Sequence, residues 1–200
     1  MGFPSAPDAR RPLVIDVGVG LNLLATGCAP DILAAFDPPI MMDDLPGDKV
    51  TAHPRGPLSM SAECAELMAR GLLSRMVLSG PMFETFVDLV GAPANDLGDG
   101  ESAVLAYAHH TGSVAVLDGD QAHAVGRSRW PDLNIASTAT LLADYRVMKR
   151  LGPERLQAAV CDALMVGHMR VLPDMISWVR SVVPADRLTN CPSLTVRARG

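Results

Sequence analysis

The sequence predicts an α/β protein, a three-layer α/β/α sandwich around a central, mostly parallel sheet. Three observations carry that expectation. Short apolar, β-branched runs, "LVIDV" (13–17), "SVAVLD" (113–118) and "LNIAS" (133–137), have the length and composition of strands buried on both faces. Longer segments of helical periodicity alternate with them, and such alternation winds into a parallel sheet covered on both sides. Two hundred residues, 48 % hydrophobic and 20 % charged, suffice for one domain with a sizeable core. With aromatics at only 4 %, that core must rest on Leu, Val, Ala and Met.

In chain order, residues 1–11 are polar with two prolines and are expected to be disordered. The strand at 13–17 leads into a short helix, "LNLLATG" (21–27), ended by Gly27, with Gly18 and Gly20 allowing close packing at the strand-to-helix turn. "DILAAF" (31–36) adds a helical turn or two. The stretch 37–57, rich in Pro, Gly and Asp, reads as a mobile or functional loop with one strand at 39–42. A helix is predicted over 59–73, a strand over 75–79, and a helix over 81–91 with Pro81 in its first turn. Helices over 99–110 and 120–128 flank the strand at 113–118. After the strand at 133–137 come helices over 138–152, stopped by Gly152-Pro153, then 153–167 and 174–183. The residues beyond 183 show no periodicity.

Composition narrows the function. The net charge of −5 argues against gripping nucleic acid through bulk electrostatics, yet leaves room for an acidic site that reaches phosphates through metal ions. Four widely separated cysteines, with no C-x-x-C pair, fit reduced thiols in a cytoplasmic protein. Asp16 interrupts the N-terminal apolar run, which argues against an export signal, and no run reaches the ~18 apolar residues of a membrane helix.

The acids fall in a pattern. Asp16 lies at the end of the first strand and Asp118 at the end of "SVAVLD", with Asp120 two residues later. "GDGES" sets Asp99 and Glu101 at a helix start, where free N–H groups favour anions. Sites in such folds form at the carboxyl ends of strands. Taken singly, Asp99 reads as a helix cap, Glu101 as a complement to the helix dipole, and 118–120 as a turn. Asp16 is different, since a strand-embedded carboxylate needs a partner. Carboxylates gathered at one rim call for a hard cation with oxygen ligands, Mg²⁺ or Mn²⁺.

"VIDVGVGLNLLAT", "LGDGESAVLAYAHHTGSVAVLDGDQAHAVG" and "ASTATLL" together resemble the PIN domain, most closely the branch with "LGxGE" before a helix and "hhxDDxxAR" after the fourth strand. The likeness covers roughly residues 12–170, leaving 171–200 as a C-terminal helix and tail. It implies a metal-dependent ribonuclease of the toxin–antitoxin type, with Asp16, Glu101 and Asp118 coordinating Mg²⁺ or Mn²⁺ and a metal-activated water attacking an RNA phosphodiester. An RNA substrate, an antitoxin protein and a homodimer are the partners it suggests.

The chain departs from that pattern at several points. Gly119 stands at the second Asp of "DD", which makes Asp120 a displaced candidate ligand, and His123 stands at the Arg. For the fourth acid, Asp43 or Asp44 is nearest. Arg127 and Arg129 are the expected grips on RNA. A rival expectation is a catalytically silent PIN-like module that acts by binding a protein partner. A Mg²⁺-dependent phosphatase ranks below both, because "DVG" puts Gly18 where a D-x-D motif needs Asp. Ser137 and Thr138, at the end of the last strand, are expected to cap the following helix, the alternative being a hydrogen bond to a metal ligand. The adjacent His109 and His110, about 100° apart on their helix as no ligand pair would be, read as a solvated helix end.

Overall fold

A computed structural model describes residues 11–36, 40–43, 60–188 and 191. Five strands form one sheet, β1 (Leu13–Ile15), β2 (Ile40–Met42), β3 (Leu73–Arg75), β4 (Val114–Val116) and β5 (Ile135–Ala136), in the order β3-β2-β1-β4-β5. Every pairing is parallel, with Val14 beside Met41 on one side and Ala115 on the other. Helices cover both faces, so the predicted three-layer α/β/α sandwich is what the chain forms.

The strands are short enough that their alternation sorts the two cores residue by residue. Leu13, Ile15, Val114 and Val116 face one layer, made of α1 (Val17–Ala25), α2 (Ala29–Leu33), α3 (Met60–Ala69), α7 (Thr138–Leu142), α8 (Tyr145–Met165) and α9 (Ile176–Val182). Val14, Ala115 and Leu117 face the other, made of α4 (Pro81–Val90), α5 (Asp99–Thr111) and α6 (Asp120–Arg129). β1 and β4 are buried along their whole length, which is why their sequences are apolar without a polar face.

Several boundaries differ from the sequence reading, each for a local reason. The helix expected at 21–27 starts at Val17, because Asp16 takes an extended backbone and its Oδ1 accepts the Val19 N–H at 2.8 Å. Gly20 is buried within that helix, and a Cβ there would lie 3.1 Å from Met42 Sδ. The helix expected to 73 stops at Ala69, and Gly71, with φ +69°, turns the chain so that β3 begins at Leu73 rather than at 75. The helix expected over 138–152 breaks early. Asp144 caps a fresh start at Tyr145, and α8 then runs to Met165 with a kink at Gly152 (φ 71°, ψ 170°) before Pro153.

At the C-terminal side, Trp178 and Val179 of α9 are buried in the same core as β1, so residue 170 marks no boundary in the packing. A short α10 (Ala185–Leu188) follows where no periodicity was visible. Residues 1–10, Asp44 and most of the 37–57 stretch lie outside the described residues. Cys28, Cys64, Cys161 and Cys191 are all free thiols. Among the described residues no helix is long and apolar enough to cross a membrane.

Candidate active site

The carboxyl edge of the sheet brings acids from four elements toward one place. Asp16 directly follows β1, Asp43 follows β2, Asp118 comes two residues after β4, and Glu101 lies in the first turn of α5. Gly100 fits between them: a Cβ there would be 3.7 Å from Asp16 Cβ and 3.9 Å from Asp43 Oδ2. Asp16, Glu101 and Asp118 line a cleft of about 280 Å³ together with Asn22, Gly119, His168 and Arg170.

Each acid is held by a specific local device. Asp16 caps α1 through Oδ1, so the acid is not embedded in a strand, and the lone carboxylate in an apolar run has a structural role that the sequence did not offer. Glu101 reaches back to the Gly98 N–H through Oε2 at 3.1 Å, which makes Gly98 the cap of α5 and Asp99 its exposed first residue rather than a capping side chain. Asp118 is the most firmly fixed. Its Oδ1 accepts the Thr138 N–H at 2.8 Å, and its Oδ2 accepts Thr138 Oγ1–H at 2.6 Å and Asn22 Nδ2–H at 2.8 Å. Thr138 thus orients an acid while Ser137 caps α7, the two roles the sequence had left between them.

The electrostatics follow from that crowding. Removal from water is the largest influence on Asp16, and the charges of Asp118, Glu101 and Asp43 add to it, while the Val19 N–H opposes it; the carboxyl is pushed up to about 7. Asp118 is also raised by burial, against the hydrogen bonds from Thr138 and Asn22. Such a rim is relieved by a proton or by a cation.

Gly119 is explained by Glu101. A Cβ at 119 would overlap Glu101 Oε1, so the acid of α5 fills the space that a side chain in the second position of "DD" would need. Asp120, the displaced candidate, is the exposed first residue of α6 and is not among the residues lining the cleft. His123 is buried, with Nε2 on the Leu117 carbonyl at 2.8 Å and Nδ1 without a hydrogen-bond partner. It does not reach the cleft surface.

The expected RNA grips are placed elsewhere. Arg127 and Arg129 sit in the last turn of α6, a helix whose other end is at the acids, and Arg129 pairs with Asp88 at 2.7 Å. Arg129 lines a different cleft, at the amino ends of β4 and β5, where His109 stacks on Trp130 with ring centres 4.4 Å apart. His109 and His110 are exposed at the end of α5, as the sequence suggested. Among the described residues, Arg170 is the cationic side chain lining the acidic cleft, with His168 beside it, both from the turn after α8. No spacing in the sequence ties that turn to the acids; a His and an Arg flanking a Met beside a glycine were its only trace.

All four acids offer oxygen donors, the chemistry that suits Mg²⁺ or Mn²⁺. As the side chains stand, among the described residues no three His, Cys, Asp or Glu groups close around a single point. Glu101 is turned toward Gly98 and Asp118 toward Thr138 and Asn22, so the donor set fits a hard cation in kind while each acid is engaged elsewhere. No protein-family model, no curated protein and no solved structure matches the chain.

Proposed function

We propose that the chain is a divalent-metal-dependent ribonuclease of the PIN type, cutting RNA phosphodiesters in the cleft lined by Asp16, Glu101 and Asp118. The observation that supports this reading is the gathering of three acids from β1, α5 and β4 at one cleft on the carboxyl edge of a parallel sheet. When bound, Mg²⁺ or Mn²⁺ supplies a Lewis acid for a phosphoryl oxygen and a means of lowering the pKa of water.

The chain's own groups divide the remaining work. Asp16 uses Oδ1 for the Val19 N–H and lines the cleft; with its carboxyl pushed up to about 7, a bound cation would displace the proton it partly carries near neutral pH. Asp118 is kept in one orientation by Thr138 and Asn22, and the second lone pair of Oδ1 remains for a ligand. Glu101, whose Oε2 accepts the Gly98 N–H, lines the same cleft and would exchange that bond for a cation. A toxin role, with an antitoxin protein as partner, is the biological setting that the sequence likeness suggests.

One observation favours the rival, a silent module that binds a protein. Asp118 accepts three hydrogen bonds and Glu101 caps its own helix, so both acids have partners without a metal. RNA cleavage with and without Mn²⁺, comparing the wild type with Glu101→Gln, decides between them. Cleavage that needs Mn²⁺ and falls at least about a hundredfold in the variant supports the nuclease. No cleavage, together with no calorimetric Mn²⁺ binding, supports the silent module.

A further inference from the structure

The turn that follows α8 is built against the acid site. Gly167 N–H bonds Asp162 O at 3.1 Å and Met169 N–H bonds Ala163 O at 2.9 Å, which folds the chain back on the helix end. Gly167 lies flat on α1: a Cβ there would come within 2.7 Å of Asn22 Oδ1 and 3.0 Å of Ala25 Cβ. Asn22 is the side chain that holds Asp118, so the turn and the acid share one support. Met169 is fully buried, and this anchor leaves its two neighbours, His168 and Arg170, exposed on the cleft. His168 adopts φ +56°, a left-handed conformation that is strained for a residue with a Cβ.

Neither His168 nor Arg170 makes a hydrogen bond or ion pair with the described residues, although acids line the same cleft. The charges that act on Asp16 are those of other acids. A strained, anchored turn that presents two unengaged nitrogen-bearing side chains beside an acidic floor is arranged for an anion that approaches from outside. A planar guanidinium matches two phosphate oxygens at once.

We propose that the Gly167–Arg170 turn is the cleft's phosphate grip, with Arg170 and His168 binding a backbone phosphate of a single-stranded RNA. The proposal deepens the nuclease reading and rests on it for the identity of the polyanion. It gives a chain of net charge −5 a local cationic contact at the place where bulk electrostatics repels RNA.

The test uses Arg170→Ala, Arg170→Lys and His168→Gly in the full chain. KM and kcat are measured on a short labelled single-stranded RNA in Mn²⁺, Mn²⁺ affinity by calorimetry, and binding of the same RNA by fluorescence anisotropy with Ca²⁺ replacing Mn²⁺. Arg170→Ala is expected to raise KM and Kd about tenfold, with kcat and Mn²⁺ affinity nearly unchanged and part of the loss restored in Arg170→Lys. His168→Gly relieves the left-handed strain, so it should melt no lower than the wild type while binding RNA more weakly.

Unchanged KM and Kd in Arg170→Ala, or a wild type that binds no RNA, overturns the grip. A wild type that binds RNA through Arg170 but does not cut it overturns the nuclease reading and leaves the grip standing. Mn²⁺-dependent cutting with KM and Kd indifferent to Arg170 does the reverse.

Discussion

Asn22 and Asp118, 96 positions apart in the chain, are joined by a 2.8 Å hydrogen bond from the amide of α1 to the carboxylate that follows β4. Asn22 is 5 % exposed, so this amide has little water to turn to. Removing it leaves a half-buried carboxylate short of a donor. Asn22→Ala is expected to lower the unfolding free energy by about 1.5–3 kcal/mol, measured by urea denaturation near neutral pH. A variant as stable as the wild type would show that water replaces the amide.

Asp16 makes stability depend on pH in an unusual direction. Its folded pKa is about 7, above the ordinary carboxylate value of 3.8, so the folded state holds this proton more tightly than the unfolded chain does. Stability from this group is therefore intact below about pH 4 and declines as pH rises toward 7. The full decline amounts to roughly 2–4 kcal/mol. Asp16→Asn keeps a good helix cap and removes the charge. In EDTA it should stabilise the protein by that order at about pH 8 and by almost nothing at about pH 4. Equal effects at both pH values would mean that the carboxyl is not perturbed.

A cation that binds at this rim must displace the proton. Titration with Mn²⁺ near pH 7 is expected to release up to about one proton per site, read from calorimetry in buffers of different ionisation enthalpy. The same titration should raise Tm, and both effects should vanish in Asp16→Asn. Binding without proton release would place the cation away from Asp16.

Gly119→Asp creates the acid pair of the motif that the sequence resembles and is nevertheless expected to harm the site. The new Cβ takes the place of Glu101 Oε1, so the Glu101 carboxylate is forced from its present position on the cleft wall. Mn²⁺ affinity and cleavage should both fall, by about tenfold or more. Higher affinity in the variant would show that Glu101 lies where it does only because no second Asp is present.

The acid rim was legible in the sequence because Asp16 and Asp118 directly follow apolar runs too short to be anything but buried strands. Position after a strand fixes which edge an acid occupies. The start of α1 was not legible, since Gly18 and Gly20 discourage a helix and only the cap bond of Asp16 to Val19 N–H reveals one. The strand predicted at 75–79 came too late, because the left-handed Gly71 brings the chain into the sheet sooner than its hydrophobicity suggests. Arg127 and Arg129 were assigned to the site by nearness in sequence, but a ten-residue helix carries them about 10–14 Å from its start. Arg170 and Asn22 were invisible for the opposite reason: contacts across the fold placed them, and those contacts leave no periodic trace.

The strand order has a consequence for how the site comes into being. β1 is the central strand, and the chain winds outward from it in one direction through β2 and β3, then returns to wind in the other through β4 and β5. Asp16 and Asp43 belong to the first lap, Glu101 and Asp118 to the second. Asp43 already acts on Asp16 within the first lap, and the second lap adds the charges of Glu101 and Asp118. The full set of acids is assembled only once β4 lies beside β1, which closes a loop of almost a hundred residues. Divalent cations should thus act chiefly on the rate at which the finished protein comes apart, and leave the early steps of its folding untouched.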